Sequence, residues 1–199
     1  GGSKVSTKLK LLANLIEKMK FLAIGGGMAN TFLAAQGVNI GSSFYEKDML
    51  NEAKMIMQKA KSVDCDIILP VDAIVADKLE FGVESFSIDL DNIKTNNMIL
   101  DVGEKTVELI SNAIINSKTL LWNGPLGVFE IPPFDESTSS CALTAAMMTR
   151  AGGLVSVAGG GDTVAALNHA GASGGFSYVS VAGGAFLEWI EGKDLPGIQ

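Results

Sequence analysis

Arginine is nearly missing from this 199-residue sequence: Arg150 is the single one among 15 basic residues. Its planar fork is the usual clamp for carboxylate and phosphate. An anion site built from this chain must therefore rely on main-chain N–H groups and lysine, or borrow arginines from elsewhere. Histidine is equally scarce. His169 is the only one; it lies late in a helical run, reads as structural or surface, and leaves no Ser/His/Asp set to assemble. Cys65 and Cys141 have neither CxxC spacing nor histidine neighbours, which argues for buried thiols in a reducing cytosol and against a metal or disulfide framework. No apolar run nears the ~18 residues of a membrane helix, and no secretory signal pattern is seen. The expected location is cytoplasmic, with no membrane partner. Positive charge is in deficit overall, at a formal net of -7. Such a surface repels polyphosphate backbones, so nucleic acid is not an expected partner.

What the sequence has is hydrocarbon and glycine. Hydrophobic residues make up 47%, and there are 23 glycines, above the usual ~7% and clustered at the ends of apolar runs. Ser6 and Thr7 are candidate N-caps for a helix carrying Leu9, Leu12, Ala13, Ile16 and Met19 at helical spacing. Phe21 to Gly27 reads as a buried strand ending in glycine, and "MANTFLAAQG" as the helix after it, stopped by Gly37. A helix fits Glu46 to Lys61, and Cys65 to Pro70 reads as a buried strand. Asp72 to Asp77 and Glu84 to Leu90 are shorter strand candidates with partial alternation. From Val71 to Asp91 the periodicity is weakest, leaving an antiparallel excursion or a covering loop open. Met98 to Gly103 leads into an amphipathic helix, "EKTVELISNAIINS"; "TLLWNG" is a further strand, and Thr138 to Arg150 a further helix. Leu154 to Gly161 and Tyr178 to Gly184 repeat one design, a strand ending in glycine before a helix. Short strands that are apolar throughout, alternating with helices, are the pattern of a parallel sheet covered on both faces. The expected fold is a three-layer, doubly wound, Rossmann-like α/β domain, mostly parallel, over residues 1–199.

Several strands end in glycine at a helix start: "FLAIGGGMA", "LVSVAGGGDT" and "YVSVAGGAF", with "WNGPLGVFE" closing a fourth. In an open parallel sheet, ligands bind beyond the carboxyl ends of the strands. Glycine lets a ligand approach the backbone, and the helix start offers free N–H groups with partial positive charge. Together they form an anion site that needs no arginine. Asp162 is out of place in a phosphate cradle unless it caps the helix expected from Thr163 or holds Mg²⁺ that bridges to phosphate. Lys4 and Lys8 fall four apart and share a face if a helix begins there. In "WNGPLGVFE", either Pro125 and Val128 flank a flat base and Glu130 accepts from a ribose, or the segment is a buried turn with Glu130 exposed, the reading that the motif alone favours. "GGSK" lacks P-loop spacing.

The ordered motifs "GGSKVSTK", "GGGMANTFL", "LLWNGPLGVFE", "GGGDTVAA" and "GGAFLEWIEGKDLPG" closely resemble the second half of the phosphoglycerate kinase family. The resemblance covers nearly the whole chain. It implies the nucleotide-binding half of a two-domain hinge kinase that transfers a phosphoryl group between 1,3-bisphosphoglycerate and ADP, reversibly and with Mg²⁺, in glycolysis. It implies that Lys4 neutralises charge on the transferring phosphoryl and Lys8 contacts nucleotide phosphate. Gly2, Ser3, Gly25 and Gly26 would line the cleft, and Asn123, Pro125, Gly127, Val128 and Glu130 would surround base and ribose. Gly160, Gly161, Asp162 and Thr163 would hold the terminal phosphates, with Asp162 on the metal. Implied partners are MgADP or MgATP and the arginine-rich, phosphoglycerate-binding N-terminal half, in an enzyme expected to be monomeric. Phosphoryl transfer asks mainly for positioning and charge neutralisation, so a missing catalytic histidine set is expected.

Three departures qualify the resemblance. The phosphoglycerate-binding half is not in this sequence. The resemblance implies a strand leading into "GGSK", ahead of Gly1, so an exposed sheet edge is expected in residues 1–199. Val181 and Ala182 stand where the family has a hydroxyl donor and a glycine, weakening the expected contribution of that late helix start. Leu195 to Gln199 are expected to be loose. Two other readings are a dinucleotide-dependent oxidoreductase, opposed by the absence of a GxGxxG with an acid about 20 residues on, and a non-catalytic nucleotide-binding module.

Overall fold

The structure, a computed structural model, describes residues 1–180. The expected strand end and helix after Ser180, with Val181, Ala182 and Leu195 to Gln199, lie outside the described residues. In chain order the elements are α1 (Leu9–Ile16), β1 (Phe21–Ala23), α2 (Gly26–Ala35), α3 (Leu50–Ser62), β2 (Asp66–Ile68), β3 (Asp72–Ala76), β4 (Phe86–Asp89) and β5 (Met98–Val102). There follow α4 (Glu104–Ile115), β6 (Thr119–Trp122), α5 (Glu136–Arg150), β7 (Val155–Gly159), α6 (Gly161–His169) and β8 (Tyr178–Ser180).

The architecture is Rossmann-like α/β. β1 pairs with β2 in parallel, and β6, β7 and β8 form a second parallel sheet in that order. Each parallel pair is joined through helices, the crossover that such pairing requires. One core gathers α1, α2 and α3 over β1 and β2, around the fully buried Phe32 and Ile16. A second gathers α4, α5 and α6 over β6 and β7, around Trp122, Cys141 and Leu167.

The weakly patterned middle is an antiparallel excursion, with order β4-β3-β5. β3 is buried along most of its length, whereas β4 is an exposed edge; tertiary pairing, and not local alternation, decides both. The excursion is tied to the parallel layers by Asp72. Its carboxylate accepts from the N–H groups of Lys105 and Thr106, both at 2.9 Å, and from the Thr106 hydroxyl at 2.6 Å. A strand residue thus caps α4 from 34 positions away.

Several helix starts differ from expectation. Lys8 occupies the cap position of α1. The Ser6 hydroxyl donates instead to Glu46, and that of Thr7 to the Lys4 carbonyl at 2.9 Å. Lys4 therefore lies before the helix, and the shared helical face with Lys8 does not exist. α5 begins at Glu136, because Thr138 turns inward and its hydroxyl oxygen accepts from Leu126 N–H at 3.0 Å. α6 begins at Gly161, with Gly160 at its cap position and no side-chain capping bond. Asp162 sits inside the first turn, so its capping role is overturned. Among the described residues, no helix is long and apolar enough to cross a membrane.

Candidate functional site

The carboxyl ends of β1, β6 and β7 open toward one margin. Beyond β1, Gly25 is extended and Gly26 takes φ +68°, a left-handed conformation that glycine adopts without strain. The Gly26 N–H donates to Leu126 O at 2.7 Å, and Met28 N–H donates to Gly2 O at 2.8 Å. A Cβ on Gly26 would stand 2.8 Å from Gly2 O. The first residues of the chain, the start of α2 and the loop after β6 are thereby laced together.

Beneath that lacing, Asn123 is a junction. Its Nδ2 donates to Gly159 O at 2.6 Å, and its Oδ1 accepts from Lys8 Nζ at 2.5 Å. Lys8 also donates to Gly1 O. Burial pushes the Lys8 ammonium below its ordinary pKa, and the negative charge of Asp162 opposes the shift. Thr163, 1% exposed, accepts from Gly124 N–H at 2.7 Å. Asn123 and Thr163 thus shape the site from within it; neither lies on the cavity wall. Gly160, at φ +104°, passes so close to Asn123 that a Cβ would stand 2.7 Å from its Nδ2.

Above this layer lies a cavity of about 250 Å³. Gly2, Ser3, Gly26 and Gly27 form one wall, and Pro125, Gly127, Val128 and Glu130 another; Asp162 closes one end, and Ile99 to Val102 form the floor. Eight sequence-predicted residues therefore meet around one hollow: Gly2, Ser3, Gly26, Pro125, Gly127, Val128, Glu130 and Asp162. Gly25 packs on Leu126 instead, 2.6 Å from it at the position a Cβ would take. Gly161 faces open space. Lys4 is exposed just before Val5. Its charge helps keep the Glu46 carboxyl below its usual range; burial opposes this, and hydrogen bonds from Ser6 and Val5 drive it.

Asp101, at the floor, was missed by sequence reasoning. The signal was there: a lone carboxylate in the otherwise apolar run "MILDVG". It is 1% exposed and accepts from the N–H groups of Val102 at 2.9 Å and Ser137 at 3.1 Å. Gly127 presses directly on it. Burial pushes its pKa up to about 7, against those hydrogen bonds, and Asp135 adds to the rise. Between an unfolded value near 3.8 and this folded value, the native chain binds the extra proton, so stability falls as pH rises through that window. Asp101→Asn is expected to flatten this slope. Urea unfolding at pH 4.5, 6 and 7.5 checks it: parallel wild-type and variant curves would count against the assignment.

Among the described residues, Asp101, Glu130 and Asp162 line the cavity and no lysine or arginine does, so the donors it can offer an anion are main-chain N–H groups. α2 and α6 begin at the same margin; the N–H groups of Gly26 and Met28 are taken by Leu126 O and Gly2 O, which leaves those of Gly27, Gly161 and Asp162 among the first-turn donors. A divalent cation fits as well. Asp162 offers an exposed carboxylate on the cavity wall, and no group of three metal-ligating side chains occurs among the described residues. A cation would therefore take one ligand from Asp162 and the others from bound anion oxygens and water, a set that suits Mg²⁺.

A family model described as phosphoglycerate kinase matches residues 1–193. The chain is 58% identical over 198 residues to the phosphoglycerate kinase of Caulobacter vibrioides (strain NA1000 / CB15N), covering 100% of this chain and 50% of that protein. It is 57% identical over 199 residues to that of Methylorubrum extorquens (strain PA1), again covering 50% of it. The solved structure of phosphoglycerate kinase from Coxiella burnetii superposes with TM-score 0.95 at 45% identity, over 100% of this chain and 50% of that one. That from Pyrococcus horikoshii OT3 gives TM-score 0.80 at 28% identity, over 98% and 49%. The chain spans about half the length of the curated relatives it matches.

Proposed function

The chain belongs to the phosphoglycerate kinase family, and we propose that it is the nucleotide-binding half of such an enzyme, holding MgADP or MgATP in the cavity between α2, α6 and the loop after β6. The whole enzyme would move a phosphoryl group between the acyl phosphate of 1,3-bisphosphoglycerate and ADP, giving 3-phosphoglycerate and ATP, in the glycolysis of the cytoplasm. The observation that carries the reading is the convergence of two helix starts on one hollow whose far wall is Pro125 to Glu130.

In this reading Pro125 and Val128 sandwich the base, and Glu130, exposed on the wall, accepts from the ribose hydroxyls. Gly2, Ser3 and Gly26 form the opposing lip, with Gly25 packed on Leu126 behind it. Gly160, Gly161 and Thr163 shape the start of α6, whose N–H groups hold the terminal phosphates. Lys8 is already bonded to Asn123 and Gly1 and serves as a fixed cation beneath them. Lys4, unbonded at its ammonium among the described residues, neutralises charge on the group in transit. Mg²⁺, when bound at Asp162, draws charge from the phosphate oxygens. The phosphoglycerate site and its arginines would lie on the other half of the enzyme, since Arg150 is alone here.

Calorimetry with MgADP tests the binding claim on residues 1–199: saturable heat is expected, and none would refute it. A coupled kinase assay on the same chain is expected to show little turnover without the other half. Gly161→Ala separates ligand from fold. Open space surrounds the position, so the melting temperature should hold. A methyl group between backbone and phosphate should weaken MgADP binding by about 10–100-fold, the worth of one or two hydrogen bonds to a charged group. Unchanged affinity would remove α6 from the site.

A further inference from the structure

Lys4 hangs from a short run of chain beside the cavity, and that run is tied to α2 on both sides of it. Before Lys4, Gly2 O accepts from Met28 N–H at 2.8 Å. Ser3 O lies 3.2 Å from where a Cβ on Gly27 would stand. After Lys4, Val5 is fully buried, and Ser6 is held by Glu46, from the link between α2 and α3. The Ser6 N–H donates to Glu46 Oε2 at 3.1 Å, and the Ser6 hydroxyl donates to Oε1. Glu46 is fixed in its turn. Its own N–H donates to Thr31 Oγ1 at 3.1 Å, and Thr31 is buried within α2.

A carboxylate that accepts from both polar hydrogens of one residue grips it at two points, with bonds strengthened by its charge. Burial alone would raise the Glu46 carboxyl; bonds from Ser6 and Val5, with the charge of Lys4, bring it below its ordinary range, so the grip stays ionised at neutral pH. The rest of the run is closed on itself. The Thr7 hydroxyl donates to Lys4 O at 2.9 Å, and Lys8 N–H to Val5 O at 2.9 Å. The backbone of Lys4 therefore has a fixed place, and its four-carbon stem is the part left to move.

We propose that Glu46 is a positioning residue for Lys4: its carboxylate pins the chain at Ser6 to α2, and so fixes the backbone from which the Lys4 ammonium reaches the transferring phosphoryl. This rests on the reading of Lys4 given under the proposed function. Glu46 is not on the cavity wall and acts through the chain. Both of its oxygens are engaged by Ser6, and among the described residues Lys4 makes no ion pair with it. The carboxylate thus holds the backbone and leaves the ammonium available. Placement of this kind matters because a shift of about 1 Å at a reacting group can cost about 100-fold in rate.

The test is a double-mutant cycle in the full-length enzyme. Glu46→Ala is expected to lower kcat by about 10–100-fold and to leave the nucleotide KM within about threefold. Glu46→Gln keeps an oxygen acceptor for Ser6 and should recover most of the rate. In a Lys4→Ala background, neither change should lower kcat by more than about twofold, because residues that act as a unit are not additive. A merely structural role would lower kcat equally in both backgrounds. In residues 1–199 without nucleotide, hydrogen exchange at the Ser6 amide should quicken at least about tenfold in Glu46→Ala and little in Glu46→Gln. Lys4→Ala with an unchanged kcat would defeat the role of Lys4, and this proposal with it. A large Lys4→Ala loss beside any one of three results would overturn this proposal alone: Glu46→Ala within threefold of wild type, equal losses with and without Lys4, or a raised kcat, the mark of a carboxylate that restrains the ammonium. Unchanged Ser6 exchange in Glu46→Ala would overturn it as well.

Discussion

Lys4→Ala in the full-length enzyme is expected to lower kcat by about 10²–10³-fold, the usual cost of removing one preorganised charge from a developing transition state. KM for the nucleotide should change by less than about threefold, because the lost interaction belongs to the transferring group. The two lysines differ in freedom. Lys8 is locked between Gly1 and Asn123, so its removal also disturbs the joint beneath the cavity. Lys4 is exposed and makes no ion pair among the described residues, and a mobile ammonium is what a moving phosphoryl requires. Exposure also keeps the melting temperature of Lys4→Ala within about 1–2 °C of wild type. A coupled assay with a parallel melt settles the matter; a loss in kcat below threefold would remove Lys4 from the chemistry.

Phe32→Ala is expected to cost about 3–5 kcal/mol. Phe32 is 0% exposed and sits in α2 among Ile16, Ile24, Met28 and Ala53, where the backbone has little room to close the cavity left behind. α2 also carries Gly26 and Met28, whose N–H groups bond Leu126 and Gly2. Loosening that helix should therefore weaken MgADP binding under conditions where the chain is still folded. Urea unfolding with a parallel titration checks both effects. A cost below about 1 kcal/mol would mean that α2 repacks freely.

What was legible in the sequence followed from local physics. Apolar strands such as "FLA" and "LLW" pointed to parallel pairing, which β1 with β2 and β6 with β7 show, although β1 is only half-buried and Thr119 is exposed; the glycines after β1, β6 and β7 marked the margin where the cavity lies. What was not legible is non-local. Asp72 read as a strand start, yet its carboxylate caps α4 from 34 residues away, and no periodicity encodes that. β4 is an exposed edge whose pairing depends on β3. The resemblance alone implies ligand contacts at Asn123 and Thr163, and no local pattern shows the bonds that these side chains make within the protein, to Gly159, Lys8 and Gly124. Asp162 reads from sequence as a cap or a cation ligand; Gly160 holds the cap position of α6, and no side chain caps it.

The direct test of the nucleotide cradle is an NMR titration of isotope-labelled residues 1–199 with MgADP, following main-chain amides. The N–H signals of Gly26, Gly27, Gly161 and Asp162 are expected to move together and saturate at one concentration. Saturable binding that leaves those four unmoved, or moves amides remote from the β1, β6 and β7 ends, would contradict the site.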